Sequence, residues 1–282
     1  MNDLLRELAP VSEAAWKAID DEARRTLKGT LAARRLVDFT GPLGWEASAV
    51  NVGRTDDLAD RSDPPVTGLE ARLRRVQPLV ELRLPFELSR VELEAVARGS
   101  KDPDLDAVRM AAYQIAIAED RLVFHGYPAA GIAGICDSAE HPALTLTEDY
   151  FAYHNVVAEA VHTLSVNGVA GPYAIALGPR CYEGLTKTIS PAGFPLLEYV
   201  RRLLDGPIVS APGVNGAVVL SQRGGDFELV VGQDFSIGYL DHTATTVRLY
   251  VQESLTFRML ATEAAVPMVY GAAKKGKSRA GA

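Results

Sequence analysis

Glu159 and His162 stand three positions apart in a stretch with helical periodicity. Glu-x-x-His is the spacing that puts a carboxylate and an imidazole on one helix face to bind iron in ferritin-like proteins. A di-iron centre needs a second such motif and further glutamates, and this chain has one copy. Glu119 and Asp120 are adjacent carboxylates, the residue type that does acid–base work. Neighbours on a helix point about 100° apart, so the two do not converge, and ion pairing with arginine is the expectation. Nucleophilic hydrolysis wants Ser or Cys beside a His and an acid, which can lie anywhere in sequence. The five histidines, at 125, 141, 154, 162 and 242, come without a G-x-S-x-G elbow or a recognisable cysteine or zinc protease signature. Gly41-Pro42-Leu43-Gly44 and Gly131-Ile132-Ala133-Gly134 match neither the dinucleotide fingerprint nor the P-loop and read as turns. Residue types fit for catalysis are present without the partners that catalysis requires.

Composition narrows the classes further. At 282 residues, 48% hydrophobic and 23% charged, the chain has enough apolar content for one large or two modest domains. A net charge of −7 opposes a nucleic-acid partner, because phosphate binding needs a dense basic face. Cys136 and Cys181 are too few for a disulfide framework and show no metal-binding spacing, which fits a reducing cytoplasm. Asp3, Arg6 and Glu7 interrupt the first ten residues, so no secretory signal is expected. No apolar run approaches the roughly 20 residues of a membrane helix.

The elements that must position any site follow from periodicity and punctuation. Ser12 is a plausible N-cap for an amphipathic helix whose apolar stripe is Trp16, Ile19, Ala23 and Leu27, ending near Gly29. The other face carries Asp20, Asp21, Glu22, Arg24, Arg25 and Lys28, either as solvated charge or as the edge of a groove. Between Trp45 and Pro78 the chain loses its long apolar runs and gains Asp56, Asp57, Asp60, Asp63, Pro64, Pro65 and Gly68, then Arg72, Arg74 and Arg75. Such a segment predicts a projecting two-stranded arm that acquires its burial from a neighbouring subunit. Leu105 to His125 predicts the longest helix. After Gly131 to Gly134 the domain changes. Thr145-Leu146-Thr147-Glu148 matches a capping box opening a helix through Val156, Ala160 and Leu164. A strand at Tyr173 to Leu177, a helix entered at Pro179 and a break over Ser190 to Pro195 complete this part. Gly224-Gly225, between Ala217 to Leu220 and Phe227 to Val231, predicts a tight hairpin needing positive φ. Lys274 to Arg279 predicts a basic, disordered tail.

Gly224 to Leu229 running into Gly232 to Tyr239, together with Gly41-Pro42-Leu43-Gly44-Trp45-Glu46, Leu79 to Arg83 and Pro85-Phe86, resembles the encapsulins, shell proteins with the HK97-like phage-capsid fold. The likeness runs from Leu4 to Pro10 at the start to Glu253 to Phe257. It implies an α+β chain with an N-terminal helix and arm (1–44), an E-loop (45–78), a P domain (79–130, returning at 224–270), an A domain (131–223) and a tail (271–282). It also implies a non-enzymatic cytoplasmic nanocompartment of the smallest icosahedral class, a 60-mer with T=1 symmetry, built by repetition of one interface. Cargo enzymes, dye-decolorising peroxidases or ferritin-like proteins serving oxidative-stress defence or iron storage, would dock by a C-terminal peptide.

By the same resemblance, the docking positions are Leu27, Leu31, Arg34, Leu36 and Asp38, with Asp234, Phe235, Ile237 and Tyr239 opposite. An apolar groove with charge at its edge suits a disordered peptide, though the same apolar residues also suit a core. A pore is expected at Ile189, Ser190, Pro191, Ala192, Gly193 and Phe194, a stretch without charge and so of weak selectivity. Val91 stands where some relatives stack a flavin on tryptophan, so no cofactor is expected, and no metal. A prophage capsid protein, which encloses DNA, shares the fold; the acidic balance and the N-terminal helix disfavour it. A protease or bacteriocin activity is the enzymatic alternative.

Overall fold

The computed structural model describes residues 4–58, 65–191 and 193–271. The expected arm residues Asp60, Asp63 and Pro64, the pore position Ala192 and the basic tail from Lys274 lie outside the described residues. In chain order come α1 (Glu13–Thr30), β1 (Asp38–Thr40), β2 (Ala49–Asp57), β3 (Arg72–Pro78), β4 (Val80–Ser89), α2 (Arg90–Ala97) and α3 (Asp106–His125). Next are α4 (Ile135–Ser138), β5 (Leu144–Leu146), α5 (Tyr153–Val166), β6 (Tyr173–Leu177), α6 (Pro179–Lys187), α7 (Leu196–Arg201), β7 (Ile208–Ser210) and β8 (Ala217–Ser221). Then β9 (Phe227–Val231), β10 (Ser236–His242), β11 (Thr246–Met259) and β12 (Ala265–Tyr270) follow. Residues Met1–Gly134 with Phe227–Arg258 make one compact unit, and Ile135–Asp226 with Met259–Ala282 the other.

In the first unit the Ser12 side chain accepts a hydrogen bond from the Ala15 amide at 3.2 Å, satisfying a donor at the start of α1. The apolar faces of α1, α2 and α3 then close over a sheet in which β11 pairs with β4, β9 and β10, with β1 parallel to β9. Ile19, Leu93, Ile115, Leu88, Val247 and Leu249 meet in this core, each side chain contributing about 1.5–3 kcal/mol by leaving water. β10 lies at the end of the strand order. Strands β2 and β3 form a separate antiparallel pair. Nearly all of that pair is exposed or half-exposed, with Leu73 and Val76 bare of cover within the chain. A lone hairpin is marginal in water.

The second unit is built on a five-stranded sheet in the order β5-β12-β8-β6-β7. Its central strands β6 and β8 are continuous apolar runs, as strands buried on both faces must be. Pro179 opens α6 at the first helical position, where its missing N–H costs nothing.

Two expectations fail here. Gly224 and Gly225 do have positive φ, 85° and 80°. The runs they join are not a hairpin, because β8 pairs with β6 and β12, whereas β9 pairs with β1 and β11. The glycine pair instead carries the chain from the second unit back to the first. The capping box at Thr145 also fails, since Thr145 and Leu146 are in β5, paired parallel with β12. Asp149 instead caps the single 3-10 turn Tyr150–Ala152, accepting from the Phe151 amide at 2.9 Å, and α5 begins after it at Tyr153 without a side-chain cap. In addition, the return to the first unit ends at Arg258, short of the expected 270, because β12 belongs to the second sheet.

Candidate functional site

Along α1 two parallel rows arise from i, i+4 spacing. Ala23 and Leu27, continued by Leu31 just past the helix end, form an apolar row, and Asp20, Arg24 and Lys28 form a charged one beside it. Facing them are Phe235, which immediately precedes β10, and Ile237 within that strand. The result is a groove of about 630 Å³ lined by both α1 rows, Leu4, Arg6, Arg34, Asp234 to Ile237, and Val251.

Six of the nine expected docking residues therefore meet in one place: Leu27, Leu31, Arg34, Asp234, Phe235 and Ile237. Ile237 is 5% exposed and shared with the core, whereas Leu27 and Phe235 are partly open. Leu36, Asp38 and Tyr239 do not line the groove. Leu36 is buried at 2% exposure, Asp38 sits in β1 opposite Glu228, and Tyr239 packs on the core with its hydroxyl bonded to His242. Sequence reasoning missed Leu4, Arg6, Ala23 and Val251; the i−4 step back from Leu27 pointed to Ala23.

Arg34 lines the groove and faces inward as well as outward. Its Nε donates to both oxygens of Glu119 at 3.0 and 2.9 Å, and Nη2 to Glu119 at 2.6 Å and to Glu253 at 3.1 Å. Nη1 pairs with Asp234 at 2.9 Å. The guanidinium lies 4.7 Å from the ring centre of Phe235 and 5.1 Å from that of Phe39, within cation–π range. Burial works against its charge, yet Glu119 above all, with Glu253 and Asp234, holds its pKa above the ordinary arginine value.

Glu119 and Glu253 are fully buried, and burial raises the pKa of both. Glu253 is raised well above the usual carboxylate value, first by burial and then by the charge of Glu119; Arg34 donates to its Oε2, and its buried Oε1 has no hydrogen-bond partner among the described residues. Asp120, also pushed up by burial, to about 7, accepts from the amides of Ala32 at 3.1 Å and Ala33 at 2.8 Å. The expected pairing of this carboxylate couple with arginine thus holds for Glu119 alone; Asp120 pins the backbone between Leu31 and Arg34. The cluster is structural in geometry. Apart from the Arg34–Asp234 pair on the groove surface, its polar contacts lie among buried groups behind the groove.

The other candidates stay apart. Glu159 and His162 are exposed on α5, and among the described residues no group of three His, Cys, Asp or Glu is placed to hold a metal. Val91 is exposed on α2. In the loop between α6 and α7, Ile189 and Phe194 expose apolar side chains. Ser190 turns inward instead, accepting from the Phe194 amide at 3.3 Å and the Tyr199 hydroxyl at 3.2 Å. Gly193 has φ 85°, which the turn back to Phe194 requires. No described helix is long and apolar enough to cross a membrane.

A family model described as an encapsulating protein for peroxidase, Linocin_M18, matches residues 1–256. The type 1 encapsulin shell protein of Rhodospirillum rubrum is 56% identical over 272 residues, covering 95% of this chain and 96% of that one. Among solved structures, a virus-like particle from Pyrococcus furiosus superposes with a TM-score of 0.63 at 20% identity, over 90% of this chain and 97% of that chain. The capsid of a native GTA particle follows at 0.55 and 14% identity, over 86% and 97%. These structural likenesses establish a capsid fold of the HK97 type.

Proposed function

We propose a function from the premise that the chain belongs to the type 1 encapsulin shell proteins: it closes, as 60 copies with T=1 symmetry, around cargo that it captures through a C-terminal peptide. The observation that carries the cargo reading is the groove itself. Its apolar floor of Ala23, Leu27, Leu31, Phe235 and Ile237 is rimmed by Arg24, Lys28 and Asp20, the pattern by which a disordered segment gains affinity from burial and register from charge. A peroxidase of the dye-decolorising type is the favoured cargo because the family model is described by peroxidase encapsulation; a ferritin-like protein suits the same groove. The compartment is cytoplasmic.

Within that shell, residues 45–78 act as the projecting E-loop, whose exposed Leu73 and Val76 are covered by a neighbouring copy. The rest of the first unit serves as the P domain and the second unit as the A domain, with the α6–α7 loop around Ile189, Pro191 and Phe194 at a pore. The decisive experiment expresses the shell with its cargo and compares wild type with Phe235→Asp and Leu31→Asp. Intact but empty particles by electron microscopy and mass spectrometry support the reading, and normal loading in both variants overturns it.

A further inference from the structure

β10 is the outermost strand of its sheet, at the end of the order β1-β9-β11-β10. Residues opposite one another in an antiparallel pair alternate between exchanging both backbone hydrogen bonds and exchanging none. The register sets Ile237 opposite Val251, Gly238 opposite Tyr250 and Tyr239 opposite Leu249. The Tyr239 amide donates to the Leu4 carbonyl at 2.8 Å, away from β11, so Tyr239 and Leu249 are a non-exchanging pair. Ile237, two residues earlier, shares that orientation, whereas Gly238 between them is bonded into the ladder. The phase on β11 agrees. Its Ser254 amide donates to the Gln233 carbonyl at 3.0 Å, which turns the backbone of Ser254, Gln252 and Tyr250 toward β10 and that of Val251 toward β4. The N–H and C=O of Ile237 therefore point out of the sheet, and among the described residues no strand lies against them.

Leu4 thus occupies one rung of this edge, and the next rung, at Ile237, adjoins the groove that both residues line. A strand laid there would run about 4.8 Å from β10. Residues opposite one another in paired strands put their side chains on one face. The residue facing Ile237 would therefore direct its side chain as Ile237 does, toward the apolar cluster that includes Ala23 and Leu27. α1 stands on the far side of the groove, so no second strand can follow behind the first. Such a site takes a single extended segment, which a disordered tail supplies and a folded sheet does not. We propose that the cargo's C-terminal peptide docks by strand addition to β10, hydrogen-bonding to the N–H and C=O of Ile237 and turning every second side chain toward the row of Ala23, Leu27 and Leu31. The inference rests on the groove being the docking site. It adds the mode of binding and the class of ligand: an extended peptide with apolar residues at alternate positions and no proline opposite Ile237.

The amides of Ile237, Gly238 and Tyr239 read the mode directly. Hydrogen–deuterium exchange with fragment-level mass spectrometry compares particles expressed with the cargo and without it. In empty particles Gly238 and Tyr239 are expected to be protected, by β11 and by Leu4, with Ile237 exchanging at least about tenfold faster. With cargo, a protected Ile237 population is expected in proportion to the cargo present per shell subunit, while its two neighbours stay as they were. In a second arm, Ile237→Pro removes a donor that the ladder to β11 does not use, a place where an edge strand tolerates proline. Loading is expected to fall about tenfold relative to Ile237→Val, which keeps the donor. Ile237 protected in empty particles as firmly as Gly238 overturns the proposal, because the edge is then already covered. Equal loading of the proline and valine variants also overturns it. Should Ile237→Pro fail to assemble, the wild-type exchange comparison decides alone. Loading that requires Phe235 while Ile237 still exchanges fast rejects strand addition and leaves the docking site standing; normal loading in Phe235→Asp removes the docking site itself.

Discussion

Replacing Arg34 with methionine tests the wall of the groove most directly. The side chain is 18% exposed, and its partners Glu119 and Glu253 are at 0%. Methionine keeps much of the apolar volume and removes the guanidinium that, among the described residues, these carboxyls share. Breaking a buried pair by removing one partner costs about 3–5 kcal/mol; the contact to Asp234, which is 43% exposed, adds at most about 1 kcal/mol after screening. At about 2–4 °C per kcal/mol for a chain of this size class, the unfolding temperature of the assembled protein should fall by roughly 6–24 °C, measured by scanning calorimetry at a fixed rate. The loss should depend on pH. Without Arg34 the two glutamates, already raised by burial, rise further, so the folded state binds more protons than the unfolded one and stability drops as pH increases. Wild type and variant should nearly coincide near pH 4 and diverge toward pH 8. Adding Glu119→Gln should recover more than half of the loss at neutral pH. A deficit below about 1 kcal/mol, a gap that ignores pH, or no rescue would refute the account of Arg34 as the counter-charge of a buried acid pair.

Asp120→Asn probes the neighbouring carboxyl: with a folded pKa of about 7 against an ordinary 3.8, the wild type should lose stability as pH rises from 4 to 7, by at most about 4 kcal/mol at 1.36 per unit, and the variant should show a shallower slope in the same calorimetric series. Gly134→Ala should prevent accumulation of folded protein, because the added Cβ would lie 2.1 Å from the Gly126 amide nitrogen; soluble particles at wild-type yield would show that the two backbones separate easily. Deleting residues 190–193 should change turnover of an encapsulated enzyme if substrates enter there, and an unchanged rate places entry elsewhere.

Much of the framework could be read from residue patterns because local signals and tertiary demands agreed. Ser12 caps α1 as its hydroxyl suggests, β6 spans Tyr173–Leu177, and Pro179 opens α6. The Gly224-Gly225 reading went astray for a definite reason. Positive φ tells that the chain turns, whereas the partners of β8 and β9 are chosen by burial on both faces, which a local pattern does not encode. Thr145 to Glu148 likewise fit a cap by type, and the ladder to β12 took the first two of those residues. In the groove, the α1 side was legible from its four-residue rows. The charge network behind it was not, because Arg34, Glu119 and Glu253 are 85 to 219 positions apart and meet only after packing. Gln252-Glu253, following the apolar Leu249-Tyr250-Val251 in a buried stretch of β11, was the available hint.

The placement of β12 bears on how passengers can be attached to this chain. It lies between β5 and β8, so cutting the polypeptide back to Arg258 would strip an interior strand from the second sheet, strand β5 without a neighbour and bare one side of β8. An unpaired edge of that kind invites aggregation. A fused domain should therefore be joined beyond Gly271, where the tether hangs from the second sheet and leaves all five of its strands in register.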